Sequence, residues 1–571
     1  MCGIFALLNT NNFDNTQKKI ISEQFNKGKR RGPEYSKLED QYMKMYLGFH
    51  RLAINGLNSE SNQPIVINDI VLICNGEIYN YKQLYNTLNI KPTTDSDCEI
   101  IIHLYINYGI EQTLNMLDGV YSFVLYDTNN DKNNVYVARD PFGVRPLYKL
   151  YNINDVDELF NMYGFASDLK CLEYFYNQNT NNYRIEQFEP GTYSVFQYNN
   201  GLNSRWNEII SNKSYFLPSF IITSHTNDIS ETKEEIFSCI SNGLNNAIIK
   251  RCVTTERPVA CLLSGGLDSS LIAALVADYF RGNGKQIETY SIGLENSEDI
   301  KYARIVADYI QSNHTEIIVT EEQMFNAITE VIKAIETYDT TTVRASIGNY
   351  LIGKHIARNS DAKVIFNGDG SDELFGGYLY MNKCPDDIEF DKEIRRLLKD
   401  IHNFDVLRSD KSISSNGLEP RTPFLDRNFI NNILSIPTYF RNHNNFGLTE
   451  KYLLRNSFTH LFYSDCLGRQ ILPDEILWRK KEAFSDGVSS QGRSLFTILQ
   501  EKISKSMNQE QCSLQTDYIN SKQGIELEKI YYKQIFDKEF PNCSNIIPYF
   551  WMPKYTNAYD PSARTLDVYT K

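Results

Sequence analysis

The sequence predicts two fold classes in one chain: an α+β half at the amino end and an α/β half at the carboxyl end. Three observations carry this. Residues up to about 200 show short strand-like runs interspersed with helix-like stretches, without strict alternation, which suggests layered α+β packing. From about residue 235, short apolar runs alternate with ten-residue helical patterns, the signature of a doubly wound, mostly parallel sheet. Between the two lies a polar, turn-rich stretch where periodicity fades. For 571 residues, about four domains of roughly 150 residues are the prior. The change in texture reduces this to two large ones.

In the first half, strands are expected at Gly3–Leu8, Met43–Phe49, Ile70–Asn75, Tyr121–Asp127 and Val135–Arg139, with helices over Ile78–Leu88 and Asp97–Tyr108. Residues 2–200 make the first domain, and 201–234 are expected as linker. SETKEE then reads as a helix start, with Ser230 as N-cap and early glutamates. Ile236, Phe237, Ile240, Leu244, Ala247 and Ile248 recur at helical spacing. Strands follow at Val259–Leu263, Thr289–Leu294, Glu316–Val319 and Lys363–Asn367. Helices are expected near Leu271–Phe280, Ile300–Ile310 and Glu321–Thr337. From about residue 386 the chain reads as an additional helical region. The second domain spans 235–540, and 541–571 form an irregular tail.

The net charge is -13, and no Lys/Arg block occurs, so no nucleic-acid partner is expected. No apolar run approaches the roughly 20 residues that span a bilayer, so no membrane partner is expected either. MCGIFALL lacks a basic n-region and does not read as a signal peptide. The eleven cysteines are odd in number and form no CxxC pair. That pattern predicts free thiols in a reducing, cytoplasmic compartment.

Cys2 follows the initiator Met. Removal of Met1 would leave one residue with a thiol and a free α-amine, whose ordinary pKa is about 7.7–8.0. Nucleophile and base would then share one residue, an arrangement suited to acyl transfer. Gly3 would let a substrate approach the backbone closely. Around Cys2 stands an ordered set: RRGPEYS (30–36), HRLAING (50–56), CNGEIYN (74–80), DSDCE (95–99) and ARDPFGVRPLY (138–148). With MCGIFALL, this set resembles the class II glutamine amidotransferase family. The resemblance implies an N-terminal nucleophile hydrolase with an αββα sandwich. It implies that Cys2 attacks the glutamine amide, and that the Asn75 side chain and the Gly76 N–H form the oxyanion hole. Arg51 would hold the substrate α-carboxylate and Asp97 its α-ammonium, with Leu52 and Glu77 completing the glutamine site.

The second chemical site is SGGLDSS (264–270), between an expected buried strand and a helix. Gly265 and Gly266 bare the backbone N–H groups, and the helix amino end adds positive partial charge. Ser264, Ser269 and Ser270 supply hydroxyls. Asp268 would repel a bare phosphate, so it makes sense with a bridging Mg2+. GxxxxGK[ST] is absent, so this is no Walker A loop. SGGLDSS is similar to the pyrophosphate loop of the N-type ATP pyrophosphatases. A second turn, NGDGSDELFGGY (367–378), falls at the end of another strand of the same sheet, where ligands of open α/β sheets bind.

ETYDTTTVRAS (336–346), GGYLYMNKCP (376–385), LEPRTPFLD (418–426) and WRKKEAFSDGV (478–488) extend the likeness. The combined set resembles the glutamine-hydrolysing asparagine synthetase family. The resemblance implies glutamine, aspartate and ATP as substrates, Mg2+ as cofactor, an internal ammonia path and a homodimer. Leu263, Ile292, Asn367 and Gly368 take nucleotide-contacting positions. Ser264, Gly265, Gly266, Asp268 and Ser269 take the pyrophosphate positions. Asp268 and Asp372 would hold Mg2+, and Lys481 would neutralise phosphate charge. Two positions depart from the usual SGEGSDE: Asn367 replaces a Ser, and Asp369 replaces a Glu that positions the ammonia. RGPEYS replaces the usual RGPDWS, which reads as a packing change. Beta-lactam synthetases share the architecture but lack the cysteine. Amidotransferases that make amino sugars or phosphoribosylamine would leave SGGLDSS without a task. A scaffold or storage protein would have lost catalytic positions at random.

Overall fold

The structure is a computed structural model that describes residues 2–10, 14–128, 133–153, 162–200, 204–216, 232–482, 484–489, 493–510 and 522–566. Two six-stranded antiparallel sheets build the amino-terminal half. The first runs in the order Tyr183–Gln187, Tyr148–Asn152, Tyr163–Ala166, Gly3–Leu8, Met45–Arg51, Tyr35–Tyr42. The second runs Arg205–Ser214, Thr192–Asn199, Asn134–Arg139, Gly119–Asp127, Ile70–Ile78, Ile65–Ile67. The period-two pattern explains how both faces of each sheet are covered. Ile4, Ala6 and Leu8 point inward against Ile73, Val124 and Phe196 of the other sheet. Phe5 and Leu7 point outward and pack with Ile21 and Phe25 of the helix Asn15–Asn26. Leu72, Cys74 and Phe123 pack outward with Ile100, Ile101 and Leu104 of the helix Ile100–Met116. The result is the expected αββα sandwich.

The expected linker is corrected at its start. From residue 201 it was to be irregular, but Arg205–Ser214 is the edge strand of the second sheet, antiparallel to Thr192–Asn199. The helix after it spans Lys233–Val253, capped by Thr232 in a capping box with Glu235. Loss of such a cap costs about 1 kcal/mol. Ser230, the expected cap, lies outside the described residues.

The third sheet has five parallel strands in the order Asn313–Val319, Glu288–Leu294, Val259–Leu262, Val364–Phe366, Glu419–Arg421. Apolar side chains cover both faces. Leu263 and Cys261 join Leu244 and Leu271 on one side; Ala260, Tyr290 and Ile292 join Ile328 and Ile347 on the other. Further helices follow to Glu539. Between 541 and 566 the chain forms the short 3-10 turns Ser544–Ile546 and Ala563–Thr565, and Trp551, Asp560 and Leu566 are buried. Among the described residues no helix is long and apolar enough to cross a membrane. The ten described cysteines are all free thiols, as expected.

The two halves meet over buried charge. Arg31 reaches Asp410 at 2.8 Å and Asp168 at 3.4 Å. Lys411 pairs with Asp168 at 3.1 Å and with Glu336. Arg421 pairs with Glu77 at 3.2 Å and Glu419 at 2.9 Å. Desolvation offsets most of the attraction in such pairs, but loss of one partner strands a buried charge at a cost of about 3–5 kcal/mol. The network therefore fixes how the halves register more than it adds stability. Glu34 belongs here too. Its carboxylate takes Arg257 of the second half at 2.8 Å and the Ala53 N–H at 2.7 Å, so Glu34 forms an interdomain clasp.

Candidate functional site

The first site gathers at the start of the first strand. The Cys2 N–H donates to Asn75 Oδ1 at 3.1 Å, and the Cys2 thiol donates to the Leu52 carbonyl at 3.7 Å. Asn75 lies on the strand Ile70–Ile78 of the facing sheet, so the sandwich itself brings it to Cys2. Asn75 Nδ2 is fully buried and has no hydrogen-bond partner. An unpartnered buried donor costs about 1–3 kcal/mol, so it marks a place prepared for an acceptor. Gly76 has no room for a side chain: a Cβ would stand 2.6 Å from the Val120 carbonyl oxygen. Burial pushes the Cys2 thiol up to about 11, while positive charge at the chain terminus and on Arg51 pulls the other way.

Arg51 is gripped by oxygens, none of a carboxylate. Its guanidinium donates to Asn58 O at 2.8 Å, Asn62 Oδ1 at 2.7 Å, Asn55 O at 3.3 Å and Gly56 O. It keeps an uncancelled charge in a half-built cage, one that suits a carboxylate. Asp97 is buried and accepts the Ile78 N–H at 2.6 Å. Burial raises its carboxyl to about 6 against the pull of that bond. Glu77 turns its carboxylate to Asn55, at 2.7 Å, and to Arg421, so that carboxylate serves the junction.

The second site lies at the carboxyl ends of the parallel strands. After Val259–Leu262 the chain turns through Gly265, whose φ of +72° suits glycine. A Cβ there would strike Ala303 N at 2.5 Å. Gly266 then caps the helix Leu267–Gly282. Ser264 Oγ and Ser269 Oγ lie 2.9 Å apart across the loop. The second turn packs directly on the first. A Cβ on Gly368 would stand 2.8 Å from Ser269 N, and Ser371 donates to Asp268 Oδ1 at 2.8 Å. One pocket is lined by Leu263, Ile292, both turns, Lys451 and Lys481.

Asp268 and Asp372 converge there on two ammonium groups. Lys451 lies 2.6 Å from each carboxylate. Lys481 lies 2.6 Å from Asp372 and 3.7 Å from Asp268. Burial opposes these charges, but Lys451 and Lys481 hold Asp372 well below the usual carboxylate range. Asp372 and Asp268 likewise hold Lys481 above the usual lysine range. Asn367 points its amide at Ser409 Oγ, 2.6 Å away. Asp369 meets Arg408 at 2.6 Å, and burial lifts its carboxyl in spite of that partner.

Residues 1–231 match the glutamine amidotransferase domain family, and residues 241–388 and 382–551 match the asparagine synthase family. The glutamine-hydrolysing asparagine synthetases of Mus musculus and Gallus gallus are 39% and 40% identical to this chain, across 100% of it and 99% of each. That of Homo sapiens is 38% identical over the same shares. The chain belongs to the glutamine-hydrolysing asparagine synthetase family.

Within that family frame, Cys2, Leu52, Asn75, Gly76, Arg51 and Asp97 gather at the first site. Leu263, Ser264, Gly266 to Ser269, Ile292, Asn367 to Asp369, Asp372 and Lys481 gather at the second, while Gly265 packs against Tyr302 and Ala303. Two residues escaped the sequence reading. Lys451 follows Glu450 at the head of a helical pattern, where a lysine reads as surface. Its φ of +58° is a left-handed conformation that costs an L residue about 1–2 kcal/mol and turns its ammonium inward. Gly377 makes room for it, since a Cβ there would stand 1.9 Å from Lys451 Cε. Arg408 lies on the helix Asp405–Ser414, and no motif announced it.

Proposed function

We propose the following chemistry for the two sites. The chain hydrolyses glutamine to glutamate and ammonia, activates aspartate with ATP to β-aspartyl-AMP and pyrophosphate, and amidates that anhydride to asparagine with release of AMP. At the first site the α-amine freed by loss of Met1 takes the Cys2 proton. The thiolate then attacks the glutamine amide carbon. Asn75 Nδ2 and the Gly76 N–H stabilise the oxyanion; one such donor is worth roughly 100- to 1000-fold in rate. The proton passes to the departing ammonia, and water cleaves the thioester. Arg51 and Asp97 hold the two ends of the amino acid. The unpartnered Asn75 amide beside Cys2 supports this assignment.

At the second site the apolar Leu263 and Ile292 flank the base, and the Ser264–Ser269 loop receives the phosphates. Mg2+ fits the donor set. Two carboxylates converge there, and Mg2+ commonly takes one or two carboxylates with the rest from phosphate and water. Asp268 and Asp372 would hold it, and it would offset phosphate charge. Lys451 and Lys481 carry the remaining positive charge toward the same point. Arg408 offers a guanidinium to the aspartate carboxylate, with Asp405 3.1 Å from it and Glu373 on the same pocket wall. Asp369 lies at this end and receives the ammonia. A homodimer, on the strength of the family resemblance, and a cytoplasmic setting, on the cysteine usage, complete the proposal.

The observation that carries this reading is the pairing of both sites in one chain matched end to end by synthetases. Incubation with glutamine, aspartate and MgATP should yield asparagine, AMP and pyrophosphate in equal amounts. ADP and phosphate in their place would overturn it.

A further inference from the structure

The final described segment, residues 551–566, has no role in the chemistry above, yet it is packed into the second site. Trp551 is buried. Its ring centroid lies 5.3 Å from that of Tyr378, and its backbone N–H donates to Asp339 Oδ1 at 2.8 Å. Trp551, Pro553, Pro561, Ala563 and Leu566 form an apolar wall of the nucleotide pocket. The segment is anchored midway. Asp560 accepts two bonds from Arg344, at 2.7 and 2.8 Å, and Arg344 is itself held by Glu528.

Beyond that anchor the segment grips the chain that carries Lys481. Arg564 donates from Nε to Glu482 Oε1 at 2.9 Å, and a second guanidinium nitrogen stands 2.7 Å from the same oxygen. Ser562 Oγ lies 2.8 and 3.0 Å from the two oxygens of Asp486. Glu482 adjoins Lys481, and Asp486 follows four residues later. Glu482 also sits in an acidic neighbourhood. Burial lifts Asp299 to about 7 and Asp486 to about 6, and the Glu482 charge adds to both shifts. Arg479, 3.1 Å from Asp299, offsets part of that charge, and Arg564 draws the Glu482 carboxylate toward the strap, beside the adjacent Lys481.

We infer that residues 551–566 are a strap that closes one wall of the nucleotide pocket, and that Arg564, by holding Glu482, is a positioning residue for Lys481. The inference rests on reading the pocket as the site where aspartate is adenylated. It goes beyond that reading by giving the tail a task in catalysis.

The test uses the full chain with ammonia as nitrogen source, so that the first site is bypassed. Arg564→Ala should lower kcat for AMP formation by about ten- to hundredfold, the scale of an ångström misplacement. Glutamine hydrolysis should stay at the parental value, and kcat is read well below the melting temperature, which falls as Glu482 loses a partner. Arg564→Lys should recover part of the loss, and Arg564→Ala combined with Glu482→Gln should recover more than Arg564→Ala alone, because the unpaired carboxylate is gone. Parental kcat in Arg564→Ala would overturn the inference. So would a loss that glutamine hydrolysis shares, or a double variant no better than the single one. A parent chain that forms no AMP from aspartate would instead strike the reading of the pocket, and the strap with it.

Discussion

Asp97 shows how burial tunes one side chain for one partner. Its carboxyl sits near 6 because it is buried, even though the Ile78 N–H favours its charge. An α-ammonium arriving with glutamine would find a carboxylate at neutral pH and a neutral acid below about pH 6. The sign follows directly: falling pH protonates Asp97, removes the attraction and weakens binding. KM for glutamine should therefore rise below pH 6, by up to about tenfold per unit. Asp97→Asn should show a high KM with no such slope, measured as glutaminase activity between pH 5 and 8. A flat parental profile would dismiss Asp97 as the ammonium partner. At this scale the sequence was legible where residues came in ordered motifs: Cys2, Asn75 and Asp97 announce one another. Lys451 and Arg408 announce nothing. Each is one basic residue in a helical pattern, and only the left-handed turn at Lys451 and the helix face at Arg408 aim them inward.

Elements place these residues, and the two Gly-rich turns do so by touching. Gly368 presses against the backbone of Asp268 and Ser269, with an added Cβ falling 2.8 Å from Ser269 N and 2.9 Å from the Asp268 carbonyl carbon. Backbone cannot swing aside like a flexible side chain. Gly368→Ala should part the turns and lower ATP-dependent AMP formation about 100-fold, while glutamine hydrolysis continues. Pyrophosphate release distinguishes the outcomes, and a parental rate would show that the turns need no contact. The inner parallel strands Glu288–Leu294, Val259–Leu262 and Val364–Phe366 were legible because they are largely buried and read as apolar runs. The strand Glu419–Arg421 was not, because three residues with a proline and two paired charges carry no apolar pattern. The helix Thr340–Asn359 escaped for the opposite reason: nearly every face of it is buried, so no polar side marks its period. The strand Arg205–Ser214 hid in turn-forming polar residues because it is an edge strand, largely facing outward.

The whole molecule couples two chemistries that need separate surroundings. The first site wants a dry nucleophile beside an unpartnered amide; the second wants balanced charge for a triphosphate. Net charge of -13 means that no global field draws the nucleotide, so the proposed reading assigns its local hold to Lys451, Lys481 and the bared loop amides. Arg421 stands between the sites. Its side chain pairs with Glu77 of the first half, and its carbonyl accepts the Asn367 N–H at 3.1 Å. The division into an α+β and an α/β half was legible from the change in rhythm near residue 235. The charged junction was not, because its partners lie far apart in the chain and each reads alone as a surface ion.

The central claim is that nitrogen release and aspartate activation occupy separate sites in one chain. Cys2→Ala tests it most directly. The variant should lose glutamine-dependent asparagine formation entirely and keep ammonia-dependent asparagine and AMP formation near the parental rate. Loss of both in a folded Cys2→Ala protein, or persistence of the glutamine-dependent reaction, would contradict it.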